Sequence, residues 1–402
     1  MKEGWKYKKI GELFQTYAGG TPLKQHKEYY QGGDIPWLRS GEVCQKYITR
    51  TEMFITQKGL ENSSARYFPK DTVVIAMYGA TAAQVGILKI KTTSNQAVCG
   101  ILPNDNYSPE FIYYWFTYNK GNLASQAQGG AQPNISQIKI KNVLIPLLPL
   151  SEQQRIVSYL DSAFAKIDVV AKNAEDSLNE AKALFQSALA KMMEPKEGWK
   201  EKLLGEVCDT VTDFVAAGSF ADLRKNVVYQ NSLSYAQLVR TTDLKSQFRK
   251  GHFVYVTKDA FNYLYRVNLN EVSIILPNVG VNCGEVYYVD PNMLPYENNV
   301  LGPNAVLVKS KLLNMKFLSY AFKDKFFQKQ LSNITSNMAQ PKFNKTALKK
   351  LTIVFPPIEN QKAISDELDI IASKIKIISS NLSRTLAECS ALKQSILRQT
   401  FE

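Results

Sequence analysis

The stretch KEGWK stands at Lys2–Lys6 and again at Lys196–Lys200, near the middle of a chain of 402 residues. Further stretches recur behind it in the same order in both halves. They are LRSGEV (Leu38–Val43) with VRTTDL (Val239–Leu244), PLSEQQ from Pro149 with PIENQK from Pro357, and ALFQSAL (Ala183–Leu189) with ALKQSIL (Ala391–Leu397). The offset between copies grows from 194 to 208, as expected of related halves of which the second carries loop insertions. The sequence predicts a pseudo-two-fold internal repeat.

Each half ends in a long helical pattern with apolar or small residues spaced three and four apart. Its apolar seam includes Ile156, Leu160 and Ile167 in the first half, and their counterparts at the constant offset of 208 are Ile364, Leu368 and Ile375. Ser151 and Gln154 form a capping-box pattern, which predicts that the first helix begins at Ser151. Spacing of this kind over such a length is typical of a coiled-coil seam.

A helix of about 43 residues is roughly 64 Å long, and a compact domain of about 160 residues cannot easily carry the chain back past it. The two helices are therefore predicted to pack as an antiparallel coiled coil between two globular domains. The alternative is that each helix packs separately on its own domain. The predicted divisions are residues 1–150 for the first globular domain, 151–195 for the first helix, 196–357 for the second globular domain and 358–402 for the second helix.

The globular parts mix short strands and helices, so we predict α/β (α+β) domains. DTVVIAMYG (Asp71–Gly79) and VSIILPNVG (Val272–Gly280) are typical of buried strands that end in glycine turns. The segments Ser108–Gly121 and Leu312–Leu331 are each predicted to form a helix.

Composition limits the class of protein. The five cysteines are scattered without C-x-x-C spacing, which argues against a disulfide framework or a zinc site and for a reducing cytoplasm. The chain start has no apolar signal region, and no apolar run is long enough to span a membrane. The net charge of +13, from 49 Lys+Arg against 36 Asp+Glu, favours a polyanionic partner.

The sequence offers no persuasive catalytic constellation. It has two histidines and contains no H-E-x-x-H, phosphate-loop or G-x-S-x-G motif. The stretch ILPNVG (Ile275–Gly280) is the nearest approach to an amino-methyltransferase motif and is a weak match. We therefore predict a binding protein with no catalytic residues, no metal site and no cofactor of its own. Two similar basic domains on a rigid spacer suit double-stranded DNA with two half-sites at a fixed spacing.

The residues also resemble a known family, the specificity subunits of type I restriction-modification systems. AGGTPLKQHKEYYQGGDIPWLRSGEV (Ala18–Val43) is similar to that family's Gly-Gly-Thr-Pro and Gly-Gly-Asp-Ile-Pro-Trp stretch. IPLLPLSEQQRIVSYLD (Ile145–Asp161) and FPPIENQKAISDELD (Phe355–Asp369) resemble the turns into its two long helices. The second domain departs from the pattern, because TDFVAAGSF (Thr212–Phe220) stands where the Gly-Gly-Thr-Pro stretch would be.

The resemblance implies a subunit that reads a bipartite, asymmetric double-stranded DNA target, one half-site per recognition domain. It also implies modification (methyltransferase) subunits, which bind S-adenosylmethionine and methylate adenine. Restriction subunits would translocate and cleave DNA with ATP and Mg²⁺. The long helices would bind the modification subunits and set the half-site spacing.

We predict DNA contacts on both domains because Arg, Asn and Gln can pair with base edges, whereas Ser and Lys more often hold phosphates. Those in the first domain are Lys24, His26, Lys27, Arg39, Ser40, Tyr78, Gln96, Gln132 and Asn134. Those in the second are Arg240, Thr241, Thr242, Asn278, Asn282, Asn304, Gln340 and Lys342. KSQFRKGH (Lys245–His252) is predicted to be a phosphate-binding loop.

Three other classes of protein remain open from the sequence. A stand-alone architectural DNA-binding protein would have no enzyme partner. A self-contained methyltransferase or nuclease would act on DNA alone. A coiled-coil oligomerisation protein would show no salt-dependent affinity for DNA.

Overall fold

The structure is a computed structural model that describes residues 2–126, 134–249, 251–335 and 340–402. The chain divides into two compact units. Unit 1 comprises residues 1–176 with 382–402, and unit 2 comprises residues 177–381. Each unit therefore contains one globular domain together with a part of each long helix.

The globular part of unit 1 has ten strands within the described residues, and the first long helix follows it. The strands are β1 Tyr7–Lys9, β2 Thr16–Ala18, β3 Ile35–Leu38, β4 Tyr47–Ile48, β5 Met53–Ile55, β6 Val73–Ala76, β7 Val85–Leu88, β8 Thr93–Ser94, β9 Val98–Ile101 and β10 Leu144–Pro146. The helices are α1 Ile10–Leu13, α2 Gln57–Glu61, α3 Pro109–Ser125, α4 Gln137–Lys141 and α5 Leu150–Met192.

Three sheets build this domain. The largest has the order β2-β9-β6-β7-β4, with β6 antiparallel to both of its neighbours. In the second sheet β3 pairs antiparallel with β5 and parallel with β8. In the third, β1 pairs antiparallel with β10. Strand β6 is the buried strand predicted from DTVVIAMYG, and all four of its residues are buried because side chains from both faces of the sheet meet apolar cores.

Unit 2 has nine strands within its described residues. They are β11 Lys200–Leu203, β12 Thr210–Asp213, β13 Ala236–Val239, β14 Val254–Val256, β15 Ser273–Pro277, β16 Tyr287–Val289, β17 Asn299–Leu301, β18 Ala305–Lys309 and β19 Thr352–Phe355. The helices that begin in unit 2 are α6 Leu204–Val207, α7 Phe220–Asn226, α8 Thr241–Lys245, α9 Lys258–Tyr263, α10 Met315–Ala321, α11 Lys325–Ile334, α12 Lys345–Lys349 and α13 Ile358–Phe401.

The second domain repeats the topology of the first, which confirms the predicted repeat. Its sheets have the orders β12-β18-β15-β16, β14-β13-β17 and β11-β19. Strand β13 again has one antiparallel and one parallel neighbour, as β3 does. Among the described strands of unit 2 none corresponds to β4. The helix predicted over Leu312–Leu331 is two helices instead, because Asp324 accepts a hydrogen bond from Phe326 N at 2.9 Å and so caps a new helix start.

The repeated KEGWK stretch forms the same turn and strand in each domain. Gly4 and Gly198 have φ of +82° and +84°, a left-handed conformation that favours glycine. The strand that follows pairs in the same register in both copies, with Lys8 opposite Ile145 and Lys202 opposite Ile353. The stretch therefore joins the chain entry of each domain to the strand that leads into its long helix.

The two long helices run antiparallel where they meet. In unit 1 the start of α5 packs beside the end of α13, and Leu160 shares one core with Leu397 and Phe401. In unit 2 the end of α5 shares a core with the start of α13 through Leu189 and Leu368. In each unit, these two helix ends also pack on the globular domain. The helix-to-helix contact predicted for a coiled coil and the alternative, packing of a helix on a domain, therefore both occur.

A buried glutamine anchors the start of each long helix. Gln153 accepts a hydrogen bond from Ser108 N at 2.9 Å and donates to two backbone carbonyls, and Gln361 accepts one from Asn314 N at 2.9 Å. Helix α5 begins at Leu150, one residue before the predicted Ser151, and Pro149 O accepts the first bond from Glu152 N. Gln153 rather than the Ser151 capping pattern thus fixes this helix start.

A second repeated pair fixes each long helix about two turns further along. Tyr114 donates to Asp161 in unit 1, and Tyr320 donates to Asp369 at 2.5 Å in unit 2. Burial and the neighbouring carboxylate raise the pKa of both tyrosine hydroxyls, so each remains a proton donor. These contacts position the domain surface relative to the helix of the same unit.

Candidate nucleic-acid interface

Two adjoining depressions lie where strands β2, β3 and β8 of the first domain end. Their volumes are about 470 and 1200 Å³, and both are lined by Arg39 and Asn95. We call the polar residues around them the first-domain face: Thr21, Lys24, Arg39, Ser40, Asn95 and Gln96. The structure thus brings together Lys24, Arg39, Ser40 and Gln96 from the sequence prediction.

Arg39 is held in one orientation by carboxylates. It follows β3, and its backbone N–H donates to Glu42 Oε2 at 2.8 Å. Its guanidinium contacts the carboxylates of Glu42 and Glu52, yet 45% of the side chain is exposed. Because a guanidinium carries five N–H donors, these contacts orient it and leave donors for a further acceptor. A base edge or a phosphate would be such an acceptor.

The Gly-Gly-Thr-Pro turn is shaped by close packing. A Cβ atom on Gly19 would collide with Ser94, and one on Gly20 would collide with the backbone of Ala65. Buried Trp37 donates from Nε1 to Gly20 O at 3.0 Å, which ties the Gly-Gly-Thr-Pro turn to the Asp-Ile-Pro-Trp stretch. The turn presents Thr21, whose hydroxyl donates to Gln96 Oε1.

Tyr78 and Asn134 lie beside this face. Tyr78 forms a bridge with Asn134, and both are exposed. The neighbouring Met77 N donates to Ala97 O at 2.7 Å, which places Tyr78 on the same side of the sheet end as Gln96. Gln132 lies outside the described residues.

Two predicted residues lie apart from both depressions. The His26 ring stacks on Tyr29 at 4.9 Å and contacts Glu28, so it helps to build the short turn Lys27–Tyr29. Lys27 is exposed on that turn. Neither side chain lines the depressions, so these two residues extend the predicted surface rather than complete it.

Arg240 occupies in the second domain the place of Arg39 in the first, since each follows the central strand of its three-stranded sheet. Asp243 holds it with two bonds of 3.0 and 2.8 Å, and His252 O accepts a third at 2.7 Å. Asp243 is only 1% exposed, and its hydrogen bond raises the pKa of Arg240. Thr241 and Thr242 form the first turn of α8 beside it.

A cavity of about 610 Å³ lies at the ends of β12 and β15, where it is lined by Asn278 and Asn304. Asn278 donates from Nδ2 to Phe343 O at 3.1 Å, so this amide holds a neighbouring segment in place. Asn304 is exposed and has a left-handed φ of +66°. The turn that bears Asn304 is held because its carbonyl accepts from Asn278 N at 3.1 Å.

Three further predicted residues flank this cavity or lie close to it. Val279 forms a bridge with Lys342, and Gly280 N donates to Pro341 O at 2.9 Å next to exposed Gln340. The bridge between Val279 and Lys342 corresponds to the bridge between Tyr78 and Asn134 in the first domain. Asn282 accepts a hydrogen bond from Lys245, which also contacts Glu285 at 3.1 Å, so the start of the predicted phosphate loop is tied to this segment.

The predicted helix residues are buried inside this chain. Ile156, Leu160, Ile167 and Leu368 are buried, whereas Ile364 and Ile375 are half-buried. These side chains therefore hold the helices in place, and their contact with another subunit stays a prediction. Exposed apolar residues on the helices include Val169 and Val170 in unit 1, and Leu184, Ile370, Ile377 and Ile378 in unit 2.

The structure adds residues that sequence reasoning missed. Asn95 and Arg50 line the first-domain depressions, and Phe220 and Arg224 line the second-domain cavity. Asn95 could have been found from its place beside Gln96. Phe220 had a weaker signal in the sequence. Ser219 and Asp222, three residues apart, form a capping-box pattern that places Phe220 at the start of a helix.

Within the described ranges no group of three His, Cys, Asp or Glu residues is placed to hold a metal ion. No described helix is long and apolar enough to cross a membrane.

Comparison with known proteins gives one consistent result. A family model described as the type I restriction modification DNA specificity domain matches residues 2–179 and 196–387, that is, both halves. The MjaIX type I restriction enzyme specificity subunit of Methanocaldococcus jannaschii is 27% identical over 386 residues, which cover 89% of this chain and 84% of that protein. The EcoKI specificity subunit of Escherichia coli is 20% identical, covering 100% of this chain and 89% of that protein.

A solved structure shares the fold. It is described as "Structural basis underlying complex assembly and conformational transition of the type I R-M system". One of its chains superposes with a TM-score of 0.73 at 18% identity, covering 100% of this chain and 98% of that one.

Proposed function

The chain belongs to the type I restriction modification DNA specificity domain family, and from this premise we propose how it selects its target. It acts as a DNA specificity subunit. Each of its two recognition domains contacts one half-site of a bipartite, asymmetric double-stranded DNA sequence. The net charge of +13 supports this assignment because basic side chains release counterions from the phosphate backbone.

The observation that carries the proposal is one topology with two different sets of side chains at the same strand ends. Gln96 precedes β9 on the first-domain face, whereas Asn304 precedes the equivalent strand β18 in the second domain. Asn278 likewise follows β15 where Met77 follows the equivalent strand β6. Base edges in the major groove are distinguished by the donors, acceptors and methyl groups that they present. Different side chains on a common frame therefore select different half-sites.

We further propose that this subunit supplies no catalytic group and works in the cytoplasm within a larger complex. Modification subunits would bring S-adenosylmethionine for adenine methylation, and restriction subunits would bring ATP and Mg²⁺ for translocation and cleavage. The exposed helix residues Val169, Val170, Ile370 and Ile377 give the partner subunits an apolar surface on each unit.

The decisive measurement is to map methylated adenines in a host genome with and without this gene. We expect methylation at one split motif with two defined halves, which disappears when the gene is deleted. A single uninterrupted motif would contradict the reading of one half-site per domain. Unchanged methylation would favour the stand-alone architectural protein.

Two biochemical measurements separate the remaining alternatives. A tagged full chain should co-purify with a modification subunit when the two are expressed together. The purified chain alone should transfer no methyl group from S-adenosylmethionine to DNA and should cut no DNA. Methyl transfer by the chain alone would overturn the assignment of a non-catalytic subunit.

A further inference from the structure

The cavity of the second domain has an unusually apolar rim. Phe220 is 75% exposed and Val228 is 61% exposed, and Tyr229 and Val215 are exposed beside them. Large exposed apolar side chains that cluster around one cavity generally mark a binding surface rather than a chance feature of the protein surface. The first-domain depressions differ, because Lys, Arg, Glu and Gln residues form much of their lining.

The position of this cavity identifies its occupant. It is lined by the segments that follow β12 and β15 and that precede β18. The equivalent segments of the first domain, after β2 and before β9, carry Lys24 and Gln96 of the first-domain face. Because the cavity is continuous with the proposed DNA surface of its own domain, a DNA half-site fits better than a second protein.

The polar residues of the cavity agree with DNA as the occupant. Arg224 lies one helical turn after Phe220 on α7, where a positive charge suits a phosphate. Asn304 is exposed on a turn, and this turn is held by a hydrogen bond of 3.1 Å that Asn278 N donates to the Asn304 carbonyl oxygen. An asparagine can pair with both N6 and N7 of adenine, while an apolar side chain contacts the thymine methyl of the same base pair.

We propose that the second-domain cavity reads A·T pairs in the major groove of its half-site. Phe220 and Val228 contact thymine 5-methyl groups, Asn304 pairs with adenine, and Arg224 holds the adjoining phosphate. This inference rests on the proposed function, since it requires that the second domain faces DNA. It adds the base class that this domain selects and the side chains that select it.

The test replaces single thymines by deoxyuridine, which removes only the 5-methyl group. The full chain would be titrated with duplexes that carry the mapped target, with substitutions made one at a time in both half-sites. We expect about fourfold weaker binding at a contacted thymine of the second half-site, from the transfer free energy of one buried methyl. The variant Phe220→Ala should bind thymine and deoxyuridine duplexes equally at that position. Leu233→Ala, 74% exposed in the same domain but outside the cavity lining, should keep the fourfold difference.

The outcomes separate this inference from the proposed function. If the chain distinguishes target from scrambled DNA but ignores every deoxyuridine, the cavity does not read methyl groups and the inference fails alone. If target and scrambled DNA bind equally, the proposed function fails. If Phe220→Ala reduces co-purification of modification subunits and leaves the deoxyuridine effect intact, the cavity binds protein and the inference is wrong.

Discussion

The two recognition domains place an arginine at the same point of one topology and hold it differently. Arg39 contacts Glu42 and the well exposed Glu52, whereas Arg240 is bonded to the nearly inaccessible Asp243 and to His252 O. The common frame is set by sheets, buried glutamines and tyrosine–aspartate pairs, which recur in both halves. Apart from this arginine, the side chains compared at the strand ends differ. The two domains therefore share one frame and differ in the side chains that this frame presents.

The substitutions with the largest expected effects test whether the end of each long helix is anchored in the core of its unit in the same way. Phe401 is fully buried in unit 1, with its ring 5.1 Å from that of Trp115, and Met193 is the buried counterpart in unit 2. Phe401→Ala should lower the free energy of unfolding by about 3–5 kcal/mol and Met193→Ala by about 2–5 kcal/mol. Urea unfolding followed by tryptophan fluorescence measures both. Leu392→Ala, at a position that is 50% exposed, should change the free energy of unfolding by less than about 0.5 kcal/mol. Equal losses for Leu392→Ala and Phe401→Ala would disprove the docking of the helix end.

The two buried glutamines allow a quantitative comparison of the helix starts, because they form different numbers of hydrogen bonds. Gln153 makes three hydrogen bonds and Gln361 makes two within the described ranges. At roughly 1 kcal/mol for each bond, Gln153→Ala should cost about 3 kcal/mol and Gln361→Ala about 2 kcal/mol in unfolding experiments. The exposed neighbour Gln154 is the matched control, and Gln154→Ala should be nearly neutral. A neutral Gln153→Ala would show that the helix start is fixed by other contacts.

The two arginines test whether each domain reads its own half-site. Arg39→Ala should weaken discrimination at the first half-site by about 1–3 kcal/mol and leave the second unchanged, and Arg240→Ala should do the reverse. Arg240→Ala should also lower stability, because it leaves buried Asp243 without its guanidinium partner. Competition binding with mutated half-sites measures both variants, and Arg155→Ala on the exposed surface of α5 is the control. An equal loss on every sequence would identify a phosphate contact or a scaffold residue.

The smallest expected effect concerns Lys24. A lysine that holds a phosphate contributes to the salt dependence of binding and little to sequence preference. Lys24→Ala should therefore reduce the slope of log affinity against log salt by about 1, with the preferred target unchanged. Titrations at several salt concentrations provide the slope, and Lys172→Ala on α5 should leave it as in the wild type. A changed target preference would make Lys24 a base-reading residue.

The repeat in the sequence was enough to predict the topology in outline. The left-handed Gly4 and Gly198, the strand after each, and the long helices all follow from stretches that recur in order. The constant offset of 208 across the helices predicted their matched phase, and the shared cores in each unit confirm the antiparallel arrangement. The division of the chain at residues 150, 195 and 357 remains a prediction.

The candidate site was harder to predict, because its residues meet through loops of unequal length. The structure aligns Asn278 with Met77, since each accepts a backbone bond from the segment that returns after the helices, Phe343 N and Ile135 N respectively. The sequence pairs them as well, since each is the seventh residue of the stretches DTVVIAMYG and VSIILPNVG, but it does not show which loops meet beside them. Phe220 was missed because an exposed phenylalanine resembles a core residue when only its type is known.

The sequence by itself determined the repeated architecture, the absence of recognisable catalytic motifs and the family, since short motifs and apolar periodicity are local properties that survive in order along the chain. Only the tertiary structure decided which polar side chains share a surface. Arg39 and Gln96 line one depression although 57 positions separate them in the sequence. The seam residues Ile156 and Leu368 are buried within this chain. The spacing of apolar residues in the sequence could not show this, because burial depends on which elements fold against a residue.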